Sequence, residues 1–274
     1  MMKSSTVGLL LAGLVLAGCG SFKKKPEPVA ASANPQVLLL GEVHDNPQGH
    51  KLRYEELRKR VAAGWRPAIA MEQFDREQQA LLDEAQKGCL DANCVIRVMK
   101  GPRWDWQLYH PIIELALNNK LPLIAANLSR GDASKVVRDG VASSFDAPTV
   151  AAYRLNEALP ADIVQGQEAE IRTGHCNMLP DSMVPGMVNA QVARDIWMAK
   201  LVRAQSPRDV VLIAGNGHVR RDIGVPRWLD AVQPKLTWTS IAYAEGKAGA
   251  GQFDQLRQVE AVQRPDPCAK FKGK

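Results

Sequence analysis

The feature that most constrains this chain is a set of short, nearly unbroken apolar runs, each ending in a polar or ionisable residue. They lie at Val37–Leu40, Ala68–Met71, Leu123–Ala126, Val210–Ala214 and Thr237–Tyr243. A half-solvated strand alternates apolar and polar side chains, whereas a strand covered on both faces reads as a continuous apolar run. Helical segments separate the runs, among them KLRYEELRKRVAAG, REQQALLDEAQ and PIIELALNN. Alternating strand and helix predicts an α/β fold with a mainly parallel sheet flanked by helices. The stretch 129–205 offers no strand and reads as a helical insertion subdomain. The α/β core is therefore expected over 36–128 and 206–246, with a C-terminal tail over 247–274.

In open α/β sheets, ligands sit beyond the carboxyl ends of the strands, so the residues that follow each run matter. The first run leads into Gly41-Glu42-Val43-His44 and the fourth into Gly215-Asn216-Gly217-His218, the same Gly-x-x-His spacing twice. Residues two apart on a strand face the same way, which aims Glu42 and His44 at one place. The second run ends in Glu72 and Gln73, and the third in Asn127 with Arg130 close behind. Any one of these could be a helix cap or a loop residue. Two carboxylates and two histidines at strand ends are better explained by a shared pocket. Gln191, Arg194, Asp195 and Met198 fall at i, i+3, i+4 and i+7, so they share a helix face. Gln191 and Arg194 thereby join Glu42, His44, Glu72, Asn127, Arg130 and His218 as pocket candidates. Arg194 and Asp195 read either as a buried pair orienting a pocket group or as a solvated ion pair.

The N-terminus speaks to location. Lys3 precedes VGLLLAGLVLAG, a run too short for a permanent membrane helix. It closes on LAGC, Leu16 to Cys19, the pattern of a bacterial lipoprotein signal over 1–18 with Cys19 as the lipidated (palmitate-type) first residue. Gly20 after that cysteine, where inner-membrane lipoproteins carry aspartate, points to the outer membrane. Residues 19–35 are polar, with Pro, Ala and Ser, and read as a tether. The net charge of +6 arises at the two ends, in Lys3, the Lys23–Lys25 run and the segment from Arg264 onward, so the body is about neutral. Nucleic acid is excluded as a partner, because it requires a concentrated basic surface. Four cysteines remain beyond Cys19. In an oxidising compartment they suggest two disulfides, Cys89–Cys94 locally and Cys176–Cys268 across the tail. Alternatively, Cys176 beside His175 is a free ligand.

LLLGEVHDN, AIAMEQF, RTGHCNMLP, AQVARDIWMA and LIAGNGHVRRDIGVPRWL occur in that order. Together they resemble the ChaN family of haem-binding uptake lipoproteins, within the Tiki/TraB-like superfamily, over roughly Gln36 to Gly246. The resemblance implies haem as cofactor, held at the helical subdomain, with tyrosine ligation between two protomers. It implies a role in iron acquisition at the bacterial outer membrane, with a homodimer and a haem-uptake receptor as possible partners. A haem site needs an axial donor, apolar contacts and cations for the propionates. Tyr153 and His175 are the candidate donors, between which the sequence does not choose. Met178, with Met183 and Met187, offers soft contacts, and Arg154 and Arg172 offer cations. The methionines read equally as helix packing.

The superfamily resemblance also carries a rival. In Tiki-like metalloproteins, the two Gly-x-x-His motifs and an acid bind a divalent metal for hydrolysis. Here those ligands would be His44, Glu72 and His218, with Glu42 as a further ligand or general base, around zinc or manganese. A structural lipoprotein without ligand is a third reading. The GHCNMLP segment, which a plain hydrolase does not require, favours haem.

Overall fold

The computed structural model describes residue 1, residues 34–99, residue 101 and residues 103–269. Cys19 and the expected signal and tether, apart from the residues at their two ends, lie outside the described residues. Strands β1 (Val37–Glu42), β2 (Ala68–Asp75), β3 (Leu123–Asn127), β4 (Val210–Gly215), β5 (Trp238–Glu245) and β6 (Gln255–Val259) form one sheet. Their order is β3-β2-β4-β1-β5-β6, and every neighbouring pair is parallel.

Side chains alternate between two apolar layers, as the period of a strand requires. Leu38, Leu40, Ile69, Met71, Val211 and Ile213 meet the first layer. It is built by α1 (Pro47–Ala62), α2 (Gln79–Gly88), α3 (Ala92–Met99) and α4 (Trp106–Asn118). Val37, Leu39, Ala70, Leu212 and Ala214 meet the second, with α5 (Arg130–Asp139), α7 (Ala161–Gly174), α8 (Val184–Ala204) and α9 (Val225–Leu229). The short helix α6 (Ala147–Ala152) lies between α5 and α7 in the chain. Burying each Leu or Ile contributes roughly 1.5–3 kcal/mol, so a polar residue anywhere in the middle of β1 would be severely destabilising.

The five expected strands are present, and the stretch 129–205 is helical with no strand among its residues. The segment expected as a tail instead supplies β6 at the sheet edge. Only Val259 of that strand is buried, so its sequence, QLRQV, carries no apolar run to betray it. Cys89–Cys94 and Cys176–Cys268 both form disulfides, which removes Cys176 as a free ligand. No described helix is long and apolar enough to cross a membrane.

Candidate functional site

The strand order places β2, β4 and β1 side by side, so Glu72, Gly215–His218 and Glu42–His44 emerge at adjacent carboxyl ends. The repeated glycines have separate reasons. A Cβ on Gly41 would lie 2.3 Å from Asn216 Oδ1, so only glycine lets the loop after β4 cross β1. A Cβ on Gly215 would come within 3.1 Å of His44 Nε2, so this glycine makes room for the imidazole. Asn46 caps α1 by accepting from Gly49 N–H at 2.8 Å, with Pro47 at the first helical position. That cap turns the chain sharply just past His44.

Glu42 is the centre of a buried network. Its Oε1 accepts from His44 Nδ1 (2.7 Å), Tyr109 Oη (2.7 Å) and Gln73 Nε2 (3.0 Å), and its Oε2 pairs with Arg53. Arg53 is fully buried, and burial lowers its pKa to about 10. Its Nη2 donates to His50 Nδ1 (2.8 Å), and His50 Nε2 donates to the His44 carbonyl (2.9 Å). This chain of contacts holds the strand end, with Arg53 Nε and Gln73 Oε1 left without a hydrogen-bond partner among the described residues.

A second carboxylate–imidazole pair stands beside it. Asp195, wholly buried on α8, accepts from His218 Nδ1 at 2.6 Å and from Gln167 Nε2 at 3.3 Å. His218 Nε2 lies 3.6 Å from Glu72 Oε1, while Glu72 Oε2 accepts the Gly215 N–H at 2.7 Å. Burial works against a charged imidazole here, but the Asp195 and Glu72 carboxylates outweigh it and raise the pKa of His218. Burial likewise opposes ionisation of Glu72, yet His218 and His44 hold its pKa below the ordinary value. Asp195 therefore pairs with His218 and not with Arg194.

Opposite these strand ends, α7 supplies the other wall of a cavity of about 760 Å³. His44, Gly215, Asn216, Gly217 and His218 face Gln167, Ile171, Gly174 and His175 across it, with Gln191 and Ile223 also lining it. His175 ends α7, and its Nδ1 donates to the Ile171 carbonyl at 2.7 Å. A carbonyl can only accept, so Nδ1 carries the proton and the Nε2 of a neutral ring keeps its lone pair for a ligand. The Cys176–Cys268 disulfide ties down the next residue.

The other haem candidates lie elsewhere. Tyr153 is buried in the apolar layer over the second sheet face, away from the cavity lining, and its hydroxyl has no partner among the described residues. Burial raises its pKa to about 12. Arg154 is exposed and paired with Glu157, and Arg172 is paired with Asp181. Met178 and Met183 are exposed and Met187 packs on the second layer; none lines the cavity. Arg130 opens α5 and faces solvent rather than the pocket.

A second, more polar cavity of about 500 Å³ shares His44, Gln191 and His218 with the first. Glu72, Asn127, Arg194, Arg103 and Trp104 complete it. The strand ends and α8 thus place Glu42, His44, Glu72, Asn127, Gln191, Arg194 and His218 around the two adjoining cavities. Arg53, Tyr109 and Gln167 were not foreseen. A signal did exist: Arg53 is spaced by four from Leu57 and by eight from Val61, and Gln167 by four from Ile163 and Ile171. Each polar residue shares a face with buried apolar ones.

The donors do not suit a resident divalent metal. Glu42 is held by Arg53, Tyr109, Gln73 and His44, and Glu72 Oε2 by the Gly215 N–H, with Glu72 Oε1 3.6 Å from His218 Nε2. Among the described residues, no group of three or more His, Cys, Asp or Glu is arranged to hold a metal ion. The larger cavity does suit a flat apolar ring: Ile171 and Ile223 offer apolar contact and His175 an axial donor, while Arg194 offers a cation in the adjoining polar cavity.

Comparison with known proteins bears on the fold and the family. ChaN of Campylobacter jejuni, described with cofacially bound haem, superposes with a TM-score of 0.65 at 20% identity, over 80% of this chain and 86% of its own. An erythromycin esterase in its open conformation aligns at 16% identity over 76% of this chain and 70% of its own, with a TM-score of 0.45 too low to carry an argument. Among curated proteins nothing matches the sequence. A family profile described as haem-binding uptake, Tiki superfamily, ChaN matches residues 29–229. That match spans most of the chain, and the chain belongs to the haem-binding ChaN family.

Proposed function

We propose that this protein binds haem in the cavity between the strand ends and α7, with His175 as the axial donor. The observation that carries this is the His175 ring itself. It lines a cavity of about 760 Å³, within the roughly 300–1,000 Å³ usual for ligand sites, and its Nδ1–H bond to Ile171 leaves Nε2 free. Bound haem would supply a Lewis-acidic iron for that nitrogen. The chain's own part is to fix the imidazole tautomer, to offer Ile171 and Ile223 to the ring, and to present cations for the propionates.

Family membership and the cofacial haem described for the Campylobacter relative support this ligand. The lipoprotein signal pattern at Cys19 supports a wider reading, a lipid-anchored outer-membrane carrier that serves iron acquisition and passes haem to an uptake receptor. A homodimer enclosing the ligand fits the same reading.

The test is a visible-absorption titration with hemin. A saturable Soret shift at fixed stoichiometry, lost in His175→Ala and kept in Tyr153→Phe, is expected. A featureless titration of the wild type would sink the reading.

A further inference from the structure

Among the described charged residues that line the two cavities, Arg194 is the cation left without a hydrogen bond or ion pair. It rises from α8 into the polar cavity of about 500 Å³, half-buried, and makes no hydrogen bond or ion pair among the described residues. Withdrawing a guanidinium from water without a partner is costly. Its neighbours do not settle the debt. Glu72 attracts it, but the oxygens of Glu72 are taken by the Gly215 N–H and faced by His218. Asp195 is engaged by His218 and Gln167. Arg103, on the rim of the same cavity, adds a second guanidinium whose contact with Asp75 is long, at 3.3 Å.

The cavity therefore holds two guanidiniums and two imidazoles against the single committed carboxylate of Glu72. A guanidinium presents a planar fork of donors that matches a carboxylate with two parallel bonds. The polar cavity also adjoins the larger one, with His44, Gln191 and His218 lining both. A ring seated against α7 would thus carry its anionic edge toward Arg194.

We propose that Arg194, assisted by Arg103, is the receptor for a ligand carboxylate, and that this carboxylate is a haem propionate. This rests on the haem reading above. It replaces Arg154 and Arg172, which are already paired on the surface, as the propionate partners.

The experiment compares hemin with hemin dimethyl ester, whose propionates carry no charge, on the whole protein and on Arg194→Met and Arg194→Lys. A charge-assisted bond lost is worth at least about tenfold in affinity. Wild type should bind hemin at least about tenfold tighter than the ester. Arg194→Met should bring hemin down to the level of the ester without weakening the ester, and Arg194→Lys should fall between. Equal binding of hemin and ester by wild type would overturn the inference while leaving haem binding intact, and needs no variant to be folded. Loss of both ligands alike in Arg194→Met, with the melting temperature lowered, would overturn it in favour of a structural role.

A last arm separates the two readings. Thermal melting with inorganic phosphate is run on wild type and Arg194→Met. Stabilisation by phosphate that depends on Arg194, in a protein that binds neither hemin nor its ester, would overturn both the haem reading and the propionate assignment.

Discussion

The two walls of the cleft are built on opposite terms. At the strand ends, Glu42 gathers Arg53, Tyr109, Gln73 and His44 around one buried carboxylate. Across the cavity, His175 hangs from the end of α7 by one hydrogen bond to Ile171 and a neighbouring disulfide. The first wall is fixed because four side chains converge on the one buried carboxylate of Glu42. The second is exposed and keeps a free nitrogen. A binding site needs both: a fixed wall to give shape, and an unspent donor to meet the ligand.

The largest way to break this contrast is to unpair the rigid wall. Arg53→Met leaves Glu42 charged in a buried site, and stability should fall by about 3–5 kcal/mol in chemical denaturation. A loss below about 1 kcal/mol would mean that the network is solvated. Next comes the tether of the open wall. Cys176→Ser releases the tail and should cost about 2–4 kcal/mol, together with hemin affinity. Cys89→Ser, at a disulfide that lines neither cavity, should leave hemin affinity unchanged. If the two substitutions weaken hemin binding equally, the disulfide does not position His175.

The His218 pair sharpens the comparison through pH. Its folded pKa is raised, so its contribution to stability is complete below the unfolded value near ~6.5 and is lost as pH rises through the folded value. Denaturation midpoints should fall with rising pH above that point, and Asp195→Asn should flatten the slope. A wild-type slope that survives the substitution would place the titration elsewhere. The smallest effect belongs to Tyr153→Phe. Its hydroxyl is buried without a partner, so removing it should be neutral or stabilising by up to about 1 kcal/mol. Marked destabilisation by calorimetry would reveal a bond to that hydroxyl.

How legible each wall was in the sequence follows from the same contrast. The strand ends could be read because β1, β2, β3 and β4 are buried on both faces, and their apolar runs announce where they stop. Glu42, His44, Glu72, Asn127 and His218 then follow by position. The edge strand β6 could not be read, since an exposed strand such as QLRQV needs no apolar pattern. Arg53 was hidden by its own helix, whose many charges suggest solvent, although its spacing to Leu57 and Val61 marks a buried face. Tyr153, at the end of α6, and His175, at the end of α7, were indistinguishable because the choice depends on which helix end the fold brings to the cavity. That is a property of packing between α7 and the strand ends, and no local pattern encodes it.

The most direct measurement is the electron paramagnetic resonance spectrum of the ferric haem complex, in wild type, His175→Ala and Tyr153→Phe. A histidine-ligated signal is predicted in wild type and in Tyr153→Phe, lost in His175→Ala and restored there by added imidazole. A spectrum unchanged in His175→Ala but altered in Tyr153→Phe would contradict the account, and would place the iron against the buried tyrosine.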